Sequence, residues 1–370
     1  FGVEFGRYTL FNYLIAEKKT NLNFSKLEFN KYKIRLKDSL KSIFAFNNLL
    51  KKNNYDCVTT FSTEYSLNRV CIEIAKRKNI KTFNIHNGKH HFSKFKFLTF
   101  NEGSNKGIYY YANKNWKNFY KKSISQENFK HVFEWFDSSF KSQTFMNYSS
   151  QFKNISIRKF FNIPDKYKKI ALVACSSADE RLGDFMINTK QSELKKCDSK
   201  FFKNDIDWSE WLIKNIYKFP ETFFIVRFHP RSFSIKRNTK TVDTLKKIKE
   251  LSKIKLDNLA FDFPSDKLSV YDYIIETDLL LISTSALSYE FGVFGIPSLT
   301  YDKNLFNHND KLCFSSKNKI DYLKKINFLL DKNNYDKTKI IVNSFRWLIL
   351  QLNYEYIDIS DVFDPPIKNF

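Results

Sequence analysis

The sequence predicts an α/β protein in which two Rossmann-like domains, each built on a parallel sheet, face each other across a cleft. Short continuous apolar runs alternate along the chain with segments of helical spacing, which is the pattern of βαβ units. Several of these runs stop abruptly in small or polar residues, as buried parallel strands do at the edge where ligands bind. With 370 residues, the chain is also too long for one ordinary core.

The first half of the chain combines a glycine loop, helices and two strands. The opening FGVEFGRYTLFNYLI places Gly2 and Gly6 just ahead of an apolar helical pattern, so we expect a glycine loop that leads into a helix. The aromatic-rich region 92–151 is expected to be mostly helical. The remaining predicted elements are helices over 37–52 and 65–78 and strands over 56–61 and 81–85.

A second patterned region begins after Pro164, in a lysine-rich stretch over 154–168. We therefore expect an acceptor-binding domain over 1–155, a donor-binding domain over 156–345, and a terminal segment over 346–370 that crosses back to the first domain. The predicted strands of the second domain cover 169–174, 223–226, 259–263, 279–282 and 296–300, and its predicted helices cover 208–217, 242–251 and 319–352.

The composition excludes several classes of protein. Hydrophobic residues make up 42% of the chain and aromatic residues 18%, which excludes general disorder. The given sequence has no run of 18 apolar residues, so we expect no membrane-spanning helix in it, and it shows no basic-then-apolar pattern of a secretory leader. Its five cysteines are scattered, without a CxxC pair or a Cys/His cluster. We therefore expect no metal site, and reduced, mostly buried thiols in a cytoplasmic protein.

The net charge of +23 predicts an anionic partner. Such a charge draws a protein towards anionic lipid, nucleic acid or a polyanionic ligand. No zinc finger, RRM signature or arginine cluster is present, so nucleic acid is not the expected partner. We expect an anionic membrane surface or an anionic glycan, and a drift of composition towards lysine is the alternative.

The most specific motif is His229-Pro230 after the apolar run FFIV. Proline ends the strand and fixes the backbone, so the imidazole is expected to project at the carboxyl edge of the sheet. Arg227 and Arg231 flank the motif and would raise the positive potential for phosphate. A histidine that caps the strand end for structural reasons is the alternative.

A second motif follows the strand over 279–282. Ser283, Thr284 and Ser285 are expected to open a helix whose hydroxyls and backbone N–H groups bind phosphate, and Glu290 on that helix is expected to accept from ribose hydroxyls. A Gly295-Ile296-Pro297 turn ends this unit. An ordinary N-cap and a helix-packing acid are the alternatives.

Further candidates follow three other predicted strands. Ser176 and Ser177 come after the strand over 169–174, where they either meet the donor or form a plain polar loop. The catalytic base is expected in the first domain. His86 follows the strand over 81–85, Glu64 follows the strand over 56–61, and Glu4 lies in the glycine loop; each is a candidate.

Together, Arg227-Phe228-His229-Pro230 and the block from Ser283 to Pro297 resemble GT-B glycosyltransferases that build bacterial surface glycans. The resemblance covers about residues 169–302 and is to the capsule and lipopolysaccharide enzymes of the Kdo-transferase type, with related patterns in sialyltransferases. It implies that His229 and the hydroxyls of 283–285 hold the donor phosphates and that the base comes from the other domain. It also implies metal independence and no cofactor beyond the nucleotide-sugar co-substrate.

The resemblance implies transfer of a sugar, favouring a CMP-activated acidic sugar such as Kdo, to a hydroxyl of a surface glycan. The acceptor would be a glycan or lipid-linked glycan, and the enzyme would lie in the cytoplasm against the inner membrane. A CDP-glycerol-type glycerophosphotransferase and a nucleotide-sugar epimerase are alternatives of the same fold. A non-catalytic basic protein that binds glycans or other polyanions is the alternative of another class.

Overall fold

A computed structural model describes residues 2–87, 97–103, 110–143, 148–188, 201–234, 239–264, 267–301, 309, 311–353, 356–359 and 361. The helices and strands, in chain order, are α1 (Phe5–Glu17), α2 (Lys26–Lys52), β1 (Cys57–Phe61), α3 (Ser66–Arg77), β2 (Lys81–Asn87), β3 (Phe97–Glu102), α4 (Tyr110–Phe119), α5 (Gln126–Phe140), α6 (Ile157–Phe160), β4 (Lys169–Ala174), α7 (Ala178–Asn188), α8 (Asp205–Ile213), β5 (Thr222–Arg227), α9 (Leu245–Leu251), β6 (Leu259–Asp262), β7 (Leu279–Ile282), α10 (Leu287–Gly292), β8 (Ser298–Thr300), β9 (Phe314–Ser315), α11 (Lys319–Leu330), α12 (Lys337–Asn353) and β10 (Tyr356–Asp358).

The chain forms two compact units and passes between them more than once. Unit 1 contains Phe1–Tyr111, Asp179–Lys195 and Asn353–Phe370. Unit 2 contains Ala112–Ala178 and Lys196–Leu352. The first passage therefore lies at 111/112, whereas the predicted boundary was at 155, and α7 returns to unit 1 directly after β4.

Unit 1 is built on a mixed four-stranded sheet in the order β1-β2-β3-β10. β1 and β2 are parallel, as the strand–helix alternation predicted, while β3 pairs antiparallel with both β2 and β10. The helices bury an apolar cluster that includes Tyr8 on α1, Ile43 on α2, and Val70 and Ile74 on α3. The strands β3 and β10 were not predicted from the sequence, and β3 lies in the region expected to be helical.

Unit 2 is built on a six-stranded sheet, parallel throughout, in the order β6-β5-β4-β7-β8-β9. Alternate residues of β4 enter two different apolar clusters: Ala171 and Val173 in one, Ile170 and Leu172 in the other. Successive strand side chains point to opposite faces, so both faces of this sheet are covered. This explains why its strands are continuously apolar, and the predicted α/β class with a parallel sheet is confirmed.

None of the helices in the described part of the chain has both the length and the apolar character needed to cross a membrane. Among the cysteines, Cys175 and Cys313 are buried, Cys71 is half-buried and Cys57 is exposed; Cys197 lies outside the described residues. Burial raises the pKa of the Cys71 thiol to about 11 and that of Cys313 to about 12, so both are protonated at neutral pH.

Candidate functional site

The strand order of unit 2 places a topological switch point between β4 and β7. From β4 the chain proceeds to β5 and β6 on one side of the sheet, and then returns to β7, β8 and β9 on the other side. In open parallel sheets the loops diverge at such a point and leave a crevice beyond the carboxyl ends of the strands, where ligands bind. The loops concerned are those after β4 and after β7. They contact one another, because Ser176 Oγ donates to the backbone carbonyl of Thr284.

The buried carboxylate of Asp205 contacts several groups at this edge of the sheet. Asp205, the first residue of α8, is 4% exposed. Its Oδ2 accepts from the backbone N–H of Ser176 at 2.6 Å and lies 2.9 Å from Ser283 Oγ, while its Oδ1 accepts from the Tyr301 hydroxyl at 3.2 Å. Asp205 thereby connects the ends of β4, β7 and β8 to α8. This role could not be predicted from local spacing, because Asn204-Asp205 before an apolar helix is an ordinary helix start.

The three residues of the predicted serine cluster lie in two environments: Ser283 is in the interior, and Thr284 and Ser285 are at the sheet edge. Ser283 is fully buried, and its hydroxyl lies 2.9 Å from both Ser176 Oγ and Asp205 Oδ2. This corrects the prediction for Ser283, which holds the edge together instead of contacting the donor. Thr284 and Ser285 are half-buried at the edge. Ser285 Oγ accepts from the Leu287 backbone N–H at 3.2 Å, so the helix predicted to open at the serines begins at Leu287.

Glu290 also points inward. It is 8% exposed and its Oε2 accepts a hydrogen bond from the Tyr271 hydroxyl at 3.3 Å. Burial, followed by the charge of Glu290, raises the pKa of Tyr271 well above its ordinary value, so the phenol stays protonated as the donor. The predicted ribose contact is therefore corrected to a buried packing role. Ser177 is buried as well, at 7% exposure.

His229 lies at the end of β5, as the HP motif predicted, and its ring is held in one orientation. The ring caps the short 3₁₀ turn Pro230–Ser232, with Nδ1 accepting from the backbone N–H of Arg231 at 3.2 Å. Tyr148 packs edge-on against the imidazole, with ring centroids 5.4 Å apart. Because Nδ1 is the acceptor, the proton of the neutral ring lies on Nε2, which makes Nε2 a hydrogen-bond donor. His229, Pro230 and Arg231 are all half-buried.

Arg227 is not part of this edge. Its side chain is 6% exposed and forms an ion pair with Asp262, its register neighbour on β6. The Tyr273 hydroxyl donates to Asp262 Oδ2 at 2.8 Å, and the guanidinium lies 5.5 Å from the centre of the Tyr273 ring. Burial, and then the Asp262 charge, raises the pKa of Tyr273. The predicted phosphate contact by Arg227 is corrected, because this guanidinium neutralises a buried carboxylate.

In unit 1, two of the three candidate bases come to the same sheet edge. His86 lies on β2 and stacks on Phe61 at the end of β1, with ring centroids 5.7 Å apart. Glu64 is half-buried in the loop after β1, and β1 and β2 are parallel, so both residues lie at the carboxyl edge. Glu4 is exposed ahead of α1 and forms an ion pair with Arg7 at 2.5 Å. Gly88 falls outside the described residues.

Neither the protein-family models nor the curated proteins contain a match to this chain. Among solved structures, it is similar to the KpsC beta-Kdo 2,4 transferase of Thermosulfurimonas dismutans, with a TM-score of 0.44 and 13% identity over 79% of this chain and 78% of that one. The KpsC beta-Kdo 2,7 transferase of the same organism gives a TM-score of 0.38 and 13% identity over 87% and 88%. A UDP-GlcNAc 2-epimerase from Methanocaldococcus jannaschii gives 0.37 and 14% over 94% and 96%.

All three TM-scores lie below 0.5 and all three identities are at most 14%, so these similarities assign no role to any residue of this chain.

Proposed function

We propose that this chain is a glycosyltransferase that uses a nucleotide-sugar donor, bound at the carboxyl ends of β4, β5 and β7. The observation that supports this most directly is the placement of half-buried polar side chains after two strands, β5 and β7, that flank β4 at the switch point. His229 and Arg231 follow β5, while Thr284 and Ser285 follow β7. With β4 between them, β5 and β7 are two strand spacings apart, about 10 Å, which is a span suited to a phosphate or diphosphate.

The chemistry of these groups suits a leaving nucleotide. As the bond to the sugar breaks, negative charge develops on the phosphate oxygens. A preorganised Nε2–H from His229, the Arg231 guanidinium and the two hydroxyls would stabilise that charge. The protein's own side chains would thus neutralise the phosphate charge, without a step that needs a metal or other cofactor.

The two substrates are a sugar donor and a glycan acceptor. The motif resemblance favours a CMP-activated acidic sugar such as Kdo as donor, and a hydroxyl of a surface glycan as acceptor, on the cytoplasmic side of the membrane. The proton of that hydroxyl would go to a base at the carboxyl edge of unit 1. His86 is the first choice there and Glu64 the second, because the carboxylate of Glu4 is already paired with Arg7.

The donor site is tested by thermal shift with CMP, CDP, UDP, GDP and ADP. Binding to the native state stabilises it by mass action, about 2.7 kcal/mol at a ligand concentration of 100 times Kd. We expect one nucleotide to raise the melting temperature of the wild type. We expect no such shift in His229→Asn, which keeps an acceptor for the Arg231 N–H and lacks Nε2. A shift kept by His229→Asn, or no shift with any nucleotide, would contradict the proposed site.

A matched control is His131→Ala, which removes a half-buried histidine from α5, a helix of the same unit that precedes all six strands of its sheet in the chain. This variant is expected to keep the nucleotide shift. Turnover then separates the remaining functions. Product that forms only when an acceptor glycan is present supports the transferase. Conversion of UDP-GlcNAc without an acceptor would indicate an epimerase, and release of glycerophosphate to the acceptor would indicate a CDP-glycerol enzyme. Glycan binding with no nucleotide shift would indicate a non-catalytic binder.

A further inference from the structure

Helix α2 of unit 1 has large apolar side chains on the side that faces solvent. Leu27, Ile34, Phe44 and Leu49 are 67%, 61%, 54% and 46% exposed. Isolated exposed apolar residues are normal on protein surfaces. Helix α2 has five among its 27 residues, because Phe29 is also 46% exposed, and five on a single helix call for a more specific account. We refer to Leu27, Ile34, Phe44 and Leu49 as the outer row.

The outer row is not the packing face of α2. Ile43 and Leu50 are buried in the core of unit 1. At 100° per residue, Leu27, Ile34 and Leu49 fall within an arc of about 60° on the side opposite Ile43, and Phe44 lies about 80° outside that arc. The helix is thus anchored through one apolar face and presents a second apolar face outward.

The same helix carries a strong positive charge. Eight of its 27 residues are Lys or Arg and two are acidic, whereas the whole chain has 62 basic residues in 370. The acidic side chains already have basic partners. Glu28 lies 3.1 Å from Lys19, which precedes the helix, and Asp38 lies 3.7 Å from Lys41. Exposed lysines such as Lys31, Lys37 and Lys41 surround the outer row.

We infer that the outer row of α2 docks this protein on a bilayer that contains anionic lipid, with the helix axis lying in the plane of the surface. Apolar tips ringed by lysines fit a lipid interface. The tips enter the boundary of the acyl chains, and the lysine side chains extend along them to the anionic headgroups. Nucleic acid would satisfy the lysines and leave the four apolar tips in water, so a bilayer fits both features better. This inference goes beyond the proposed function, since no nucleotide or sugar takes part.

The test is flotation of the full chain with vesicles of phosphatidylcholine alone and with 30% phosphatidylglycerol. We expect binding to the anionic vesicles only, and weaker binding in 0.5 M NaCl because salt screens the lysines. The variant Leu27→Gln/Ile34→Gln is expected to lower the partition coefficient about tenfold, because two side chains that enter the interface are lost. The matched control, Ile275→Gln/Ile320→Gln, changes isoleucines of unit 2 that are 61% and 68% exposed and should bind like the wild type.

Three results would overturn this inference. The wild type could fail to bind anionic vesicles, or Leu27→Gln/Ile34→Gln could bind them within twofold of the wild type. The third is a control variant whose partition coefficient falls as much as that of Leu27→Gln/Ile34→Gln. If Leu27→Gln/Ile34→Gln lost retention on a DNA duplex and kept vesicle binding, the partner of the outer row would be nucleic acid and not a bilayer. Because the vesicle assay contains no nucleotide, its failure leaves the thermal-shift result for the donor site unaffected, and the reverse also holds.

Discussion

The carboxylate of Asp205 illustrates how single buried groups shape the carboxyl edge of unit 2. It accepts from a backbone N–H after β4 and from a hydroxyl after β8, and it lies beside the hydroxyl of Ser283 after β7. Buried polar groups are stable only when they are hydrogen-bonded. Asp205 therefore satisfies several strand-end donors that would otherwise be unpaired, and the loops at the switch point are fixed before any ligand arrives.

Replacing Asp205 by Asn tests this role. The amide has one acceptor oxygen instead of two and points N–H groups at donors, so we expect the free energy of unfolding to fall by about 2–3 kcal/mol. Urea denaturation followed by fluorescence measures the change. The control is Asp207→Asn, on the same first turn of α8, where a half-buried carboxylate accepts from the Lys203 N–H at 3.0 Å. A cost no larger than that of the control would show that Asp205 is not the anchor of the edge.

The sequence could not distinguish residues that line the edge from residues that hold it. Arg227 and Ser283 end or follow apolar runs, as ligand-binding residues do, and Glu290 lies on the helix after the second run. Each is nevertheless buried against a partner distant in sequence. The partner of Arg227 is set by the register of β5 and β6, and that of Ser283 by the docking of α8. Neither is encoded in local spacing. His229 does lie at the end of β5, where proline fixes the backbone locally, and its contact with a donor stays a prediction.

At the scale of elements, prediction succeeded where burial is uniform. The strands over 169–174 and 279–282 were predicted to the residue, because a strand covered on both faces is apolar throughout. The strands β3 and β10 were missed because they pair antiparallel in a small sheet, and β10 has only three residues. The start of α2 was placed too late, although Ser25 and Glu28 form a capping box that the sequence already displays.

The capping box of α2 predicts a pH dependence. Hydrogen bonds from Ser25, and then from Lys19, lower the pKa of Glu28 from 4.5 to about 2. A carboxyl whose folded pKa is depressed stabilises the native state above its unfolded pKa. That contribution is lost as pH falls from about 4.5 towards 2. We expect Glu28→Gln to lower the free energy of unfolding by about 1.5 kcal/mol at pH 7, since hydrogen bonds to a charged group are lost.

The difference between Glu28→Gln and wild type should shrink as the pH is lowered from 7 to 3, when measured by urea unfolding at each pH. Glu250→Gln serves as the control, because Glu250 forms a long exposed pair with Lys246 at 4.0 Å and should change stability by less than about 0.5 kcal/mol. A difference that stays constant down to pH 3 would contradict the assignment to Glu28.

At the scale of the whole molecule, the net charge of +23 destabilises the folded state. Like charges on a folded surface repel one another, and salt screens that repulsion. We expect the melting temperature near pH 7 to rise by about 2–4 °C between 20 and 300 mM NaCl, which corresponds to ~1 kcal/mol for a domain of this size. At pH 9.5, close to the isoelectric point, the same addition should have a smaller effect. Equal salt effects at both pH values would exclude net charge as the cause.

Unit 1 is made of three separate stretches of the chain, and this affects how it folds during synthesis. Its sheet gains the strand Tyr356–Asp358 only after the 157 residues of the second stretch of unit 2 have been made. Translation delivers the chain from the N-terminus at about 5–20 residues per second, and domains generally fold as they emerge. All residues between Glu102 and Tyr356 are therefore made while the edge of β3 that pairs with β10 lacks its partner. Such an edge is a template for unwanted strand pairing, so the newly made chain is most vulnerable to aggregation before Tyr356–Asp358 emerges.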